Sequence, residues 1–180
     1  MKKIKQVIKR LLGIYDYDRV GEAQVLKAIR LYHKGGRLNR LRALRLYNKN
    51  LRRYNIKIMP DIEVGENFHL VHAAPIRIGY GVKFGDNCKL YPYCAVVSSI
   101  KPEDWDESAG TYKKASFGND CILGYGCIVI GNHTIGDDVT IGAHAIVTKD
   151  VPSHSVVVGT NQITPKRDDQ IPEKYKRSGC

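Results

Sequence analysis

Six histidines, five cysteines and an acidic, aromatic stretch around Trp105 are the groups in this 180-residue chain whose chemistry extends beyond packing. His72 has the most telling position. It falls where a six-residue pattern of aliphatic side chains gains two residues, around His72–Pro75, so the backbone must bulge there and the ring can point outward. An imidazole, with an ordinary pKa near ~6.5, can take the proton of an alcohol as that alcohol attacks a carbonyl. On residue type alone, a corner histidine that only bonds backbone carbonyls is the favoured reading. His69, three residues earlier, is placed to flank the same cleft. The cysteines form no CxxC pair, so neither a zinc knuckle nor a thioredoxin-type dithiol is expected.

The elements that must hold these groups emerge from periodicity. Ile58, Val64 and Leu70 are six apart, as are Ile78, Phe84, Leu90 and Val96. After a break, Phe117, Leu123, Val129, Ile135, Ile141 and Val147 keep the same step. Two residues before them stand mostly small or aliphatic side chains, Cys88, Cys94, Cys121 and Cys127 included. A fixed short period marks a solenoid: each hexapeptide gives one short strand and a corner, and three make a coil of 18 residues. The four cysteines are then small core residues, and His133, in the same phase, is expected inside or packed between chains. The stretch 98–116 breaks the phase. Long loops on rigid repeats usually carry binding function, and Trp105 suits stacking against a sugar, with a loop between subunits as the equal alternative.

Before the repeat, three helices are expected at 2–15, 22–34 and 37–53. Their apolar rows are Ile4/Val7/Ile8/Leu11, Val25/Ala28/Ile29/Tyr32 and Leu38/Leu41/Leu44/Tyr47. The net charge of +11 is concentrated here, with 17 basic against 3 acidic residues in positions 1–60. Such a block implies an anionic partner surface or a solvated helical arm. No apolar run is long enough to span a bilayer, and secretion is not expected.

The segment Val139-Thr-Ile-Gly-Ala-His-Ala-Ile-Val-Thr-Lys-Asp-Val-Pro152, with Val156-Val-Val-Gly159, resembles the last coil of the hexapeptide-repeat acyltransferases. Leu70-Val-His-Ala-Ala-Pro-Ile-Arg-Ile-Gly79 resembles their serine acetyltransferase branch and the related polysaccharide O-acetyltransferases. The resemblance implies a mainly β fold: a left-handed parallel β-helix at 57–159 with an inserted loop at 98–116. A basic helical segment, 1–56, would precede it, and a tail, 160–180, would come after it. The resemblance also implies acetyl-CoA as acyl donor, a homotrimer with the coenzyme groove between chains, and His72 as general base. Tyr125, Ala143, Thr148 and Lys149 match coenzyme-contacting positions, and Lys166 a position that meets the nucleotide phosphates. Zinc sites of the γ-carbonic-anhydrase type use the same fold, but their close histidine pair has no match here and no metal is expected.

The chain departs from the serine acetyltransferase pattern at Lys57, Met59, Val71 and Lys113-Lys114, where that family has Asp, His, an acid and Arg-His. Serine carries an ammonium that needs a carboxylate, whereas a sugar hydroxyl needs no charge. The expectation is therefore an acetyl-CoA-dependent O-acetyltransferase of a sugar, free or lipid-linked, in surface-polysaccharide assembly. His69 and Trp105 would contact that acceptor. The alternatives are a serine O-acetyltransferase, and a non-catalytic solenoid whose basic arm binds lipid or nucleic acid. The expected place is the cytoplasm, with the helix at 2–15 either packed on residues 22–53 or touching the inner membrane face, and nucleic acid not expected as partner.

Overall fold

The computed structural model describes residues 17–98, 105–107 and 111–176; the helix expected at 2–15 lies outside the described residues. Helix α1 (Tyr17–His33) and helix α2 (Arg37–Tyr54) form a hairpin through Gly35-Gly36, both at positive φ. Each helix begins or ends within a few residues of its expected limit. Val25, Ala28 and Ile29 of α1 are buried as the periodicity requires. For α2 the expectation fails. Leu38, Leu41 and Leu44 are exposed, and the buried side chains are Ala43, Asn50 and Tyr54. Asn55, in the left-handed conformation, closes α2 with its N–H on Asn50 and Leu51 carbonyls and turns the chain into the first strand.

Beyond Asn55 the chain winds into a left-handed parallel β-helix of four coils and a closing part-coil. One face stacks β1 (Ile56–Ile58), β4 (Ile76–Ile78), β7 (Ala95–Val97), β12 (Ile128–Ile130) and β15 (Ile146–Val147). The second stacks β2 (Glu63–Val64), β5 (Lys83–Phe84), β10 (Ser116–Phe117) and β13 (Thr134–Ile135). The third stacks β3 (His69–Leu70), β6 (Lys89–Leu90), β11 (Ile122–Leu123), β14 (Thr140–Ile141) and β16 (Ser155–Val158). β17 (Gln162–Pro165) runs antiparallel on β16 and ends the sheet.

Register explains the pattern. Val129 pairs with Val147 and Ile78 with Val96, one 18-residue coil apart. Ile56 pairs with Ile76, which places two extra residues in the first coil, as expected around His72. Val96 pairs with Val129, and the additional residues form the insertion that carries the hairpin β8 (Trp105–Asp106) and β9 (Thr111–Tyr112). Strands of two or three residues suffice because identical faces superpose, and Leu70, Leu90, Leu123 and Ile141 fill one column without exposure. Cys88, Cys94, Cys121 and Cys127 are fully buried at the small inward positions. His133 is not inside the prism, the first of its two expected places: its ring turns to Asp150, at 3.3 Å, and stays partly exposed, because a protonatable ring is better solvated there than in an aliphatic prism.

Candidate active site

Three edges separate the three faces, and the phase of each residue decides its edge. His72 lies on the edge between the third and first faces, after β3. The extra residues push this corner out of the stack, with Ala74 N–H bonded to the His72 carbonyl at 2.9 Å, and the His72 side chain is exposed. On the coils above, the same edge carries Tyr93, Tyr125 with Gly126, and Ala143 with His144. Register links them: Tyr93 N–H donates to Pro75 O, Gly126 N–H to Pro92 O, and His144 N–H to Tyr125 O. The rings form a column, Tyr93 to Tyr125 at 5.1 Å and Tyr125 to His144 at 5.6 Å between centroids. Neighbouring coils are about 5 Å apart, so Tyr125 and Ala143 lie about 10 and 15 Å along the edge from His72.

A residue that sequence reasoning missed completes this corner. Glu22 of α1 reaches down to β3, where its Oε1 lies 2.5 Å from His69 Nδ1 and accepts the Leu70 N–H at 3.2 Å. Glu22 is largely shielded, whereas His69 is about half exposed. The close approach depends on Gly21, since a Cβ there would stand 2.6 Å from the Ala73 Cβ. The signal was available: Glu22 is the one acid in the helical hairpin after Asp18. Nothing in the sequence, however, linked it to a strand nearly fifty residues later.

The other expected site residues fall elsewhere. Thr148 and Lys149 sit on the edge between the first and second faces, as do Lys113-Lys114 and the inserted hairpin with Trp105. Lys149 is exposed, while Thr148 is tied to Asn161, its N–H on Oδ1 at 2.8 Å and its hydroxyl accepting from Nδ2 at 2.6 Å. Lys166 lies on the remaining edge. It differs from the expected phosphate-binding cation, because its Nζ is 2.6 Å from Asp138 Oδ1 and both side chains are nearly buried. A lysine held in that pair is not available to a coenzyme phosphate. One chain thus brings His72, His69, Tyr125 and Ala143 to one side and leaves Thr148, Lys149 and Trp105 on another.

Two of the core thiols are poorly suited to carry an acyl group. Burial pushes Cys127 up to about 12 and Cys94 higher still, so neither offers a thiolate. Among the described residues there is no cluster of three metal-ligating side chains, and no helix is long and apolar enough to cross a membrane.

Coils, cornered histidine and aligned edges are together like those of the hexapeptide-repeat acyltransferases, whose fold the chain shares. In sequence the chain is similar to serine acetyltransferases. The chain is 29% identical over 113 residues to serine acetyltransferase of Helicobacter pylori, covering 63% of this chain and 62% of that protein. It is 30% identical over 104 residues to the Synechococcus elongatus enzyme of the same name, covering 58% and 40%. Serine acetyltransferase of Neisseria gonorrhoeae superposes with a TM-score of 0.64 at 23% identity, covering 85% of this chain and 54% of that one. The Brucella abortus serine acetyltransferase gives 0.64 at 21%, covering 77% and 52%. The chain spans less than two thirds of the length of these curated relatives. No family model matches it.

These likenesses overturn the expected sugar acceptor and its place in polysaccharide assembly. The relatives in sequence and the neighbours in fold are serine acetyltransferases. The acids missing at Lys57 and Val71 had favoured a neutral acceptor, but α1 delivers Glu22 to the strand that leads into the same corner.

Proposed function

We propose that this protein transfers the acetyl group of acetyl-CoA to the hydroxyl of serine. The observation that carries the reading is the extruded first-coil corner, where His72 stands exposed two residues beyond the strand that receives the Glu22 carboxylate of α1. His72 accepts the hydroxyl proton as the oxygen attacks the thioester carbonyl. The tetrahedral adduct then expels the coenzyme thiolate, and His72 returns the proton to that sulfur, leaving O-acetylserine and free coenzyme. Transfer is direct, since the buried thiols do not serve as an acyl relay. Glu22 and His69 offer the negative character that the serine ammonium requires, in place of the acid that Val71 lacks.

The coenzyme lies along the edge that bears Tyr125 and Ala143, and the edge of a second chain contributes Thr148 and Lys149. The assembly that supplies both edges is a homotrimer. The likeness to serine acetyltransferases and the separation of these residues within one chain support this reading. The deciding experiment measures thiol release from acetyl-CoA with L-serine, with D-serine and without acceptor. L-serine-dependent release with O-acetylserine as product is expected. Release indifferent to L-serine would defeat the proposal.

A further inference from the structure

We propose that the outer face of α2 is a docking surface for an anionic lipid bilayer. This helix has seven Arg or Lys residues among its 18 and no acid. Its inner side is spent on Ala43, Asn50 and Tyr54. The opposite side, at 100° per residue, presents Leu38, Leu41, Arg45, Lys49 and Arg52 together. Leu38 is 60% exposed, Leu41 49% and Leu44 42%, three leucines at successive helical turns with no apolar cover among the described residues. Toward the C-terminal end, Arg45, Lys49, Arg52 and Arg53 surround a shallow cavity of about 480 Å³ with Asn48. Among the described residues no ion pair reaches Arg37, Arg42, Arg45, Lys49 or Arg52.

Charge selects the occupant. A second copy of α2 would set seven cations against seven more. Residues 1–16 of this chain, with five basic side chains and one acid, are repelled as well. The partner is therefore strongly anionic. The leucines distinguish among anionic partners: they gain nothing from a sugar-phosphate backbone, but they enter the acyl boundary of a bilayer while the neighbouring arginines hold headgroup phosphates. The basic cavity fits the same phosphates, which arginine binds in bidentate fashion. This surface is separate from the His72 corner, and the inference stands independently of which acceptor is acetylated.

The test is co-sedimentation of the full chain with phosphatidylcholine vesicles, with and without about a quarter phosphatidylglycerol. Binding is expected only with phosphatidylglycerol and weakens as salt rises. Each basic residue facing such a surface is worth about fivefold in partitioning, so Arg45→Gln/Lys49→Gln/Arg52→Gln should weaken binding about 100-fold. Leu38→Ser/Leu41→Ser/Leu44→Ser should weaken it about tenfold or more. Both sets change exposed side chains and should keep the circular dichroism and melting of the parent. Lys2→Gln/Lys3→Gln/Lys5→Gln serves as comparator and should lose much less. The inference is overturned if the α2 variants sediment like the parent, or if the comparator alone loses binding. It is equally overturned if the leucine variant is unaffected and a duplex DNA binds more tightly than the vesicles.

Discussion

At the scale of single residues, the question is what His72 does that a similar shape cannot. Asparagine keeps much of the ring's hydrogen-bonding capacity but cannot accept the proton. His72→Asn should therefore lower turnover about 10²–10⁴-fold, the range for positioned proton transfer. The KM for acetyl-CoA and the melting temperature should hardly change, since His72 fills no core volume. Steady-state thiol release together with a thermal melt checks all three, and a variant with full turnover would remove His72 from the mechanism. Glu22→Gln is the partner experiment. Glutamine can still accept from the Leu70 N–H but no longer offers a negative charge, so the KM for serine should rise about tenfold with little loss of stability. A variant that merely unfolds α1 would lower the melting temperature instead. His72 was legible because two extra residues in a strict six-residue phase announce a bulge. Glu22 was not, because contact between a helix and a strand leaves no periodic trace.

At the scale of elements, the β-helix was visible in full because its core is a column of aliphatic side chains repeated every sixth residue. The corners were less so. Asn67, Asn87, Asp120, Asp138 and His154 occupy the left-handed region at one edge, where short polar side chains tolerate positive φ. The orientation of α2 was misjudged for a physical reason. Helical periodicity shows that an apolar row exists, but α1 and β1 accept Ala43, Asn50 and Tyr54 and leave the leucines outside. Two measurements probe these elements. Phe84 lies between Phe68, at 5.2 Å, and Phe117, at 4.7 Å, and is almost wholly buried. Phe84→Ala should cost about 3–5 kcal/mol in denaturant unfolding, because a narrow prism cannot collapse onto the vacancy. The tail offers a pH test. Burial would raise Asp120, but Lys174, at 2.5 Å, and the Tyr175 hydroxyl outweigh it and hold the carboxyl below its usual range. Stabilisation from such a group is complete above the unfolded value, about 3.9, and is lost as pH falls through the folded one. Protection of amides in 162–176 against hydrogen exchange should accordingly be lost as the pH falls below the usual carboxylate range while the coils stay protected. Asp120→Asn should show the same loss at neutral pH. Equal protection at both pH values would mean that β17 alone holds the tail.

At the scale of the whole molecule, the separation of the site residues over two edges bears on assembly. Within one chain, His72, Tyr125 and Ala143 cannot meet Thr148 and Lys149, because a rigid stack of coils stands between the two edges. A closed ring of three copies sets one edge of each chain against a different edge of the next. That geometry makes a prediction that single variants cannot. His72→Asn damages one edge and Lys149→Glu the other, and each homotrimer should be nearly inactive with intact light scattering. Co-expressed and randomly assembled, the two chains form interfaces in which an intact His72 edge meets an intact Lys149 edge about a quarter of the time under cyclic symmetry. The whole co-expressed population, homotrimers included, should then regain about a quarter of parental activity, referred to the same subunit concentration, and mixed trimers freed of homotrimers about a third. Separately purified variants combined without unfolding should regain none for as long as each trimer keeps its own chains. If each site were built within one chain, no mixture would recover activity, and an active monomer in light scattering would dispose of the shared groove altogether.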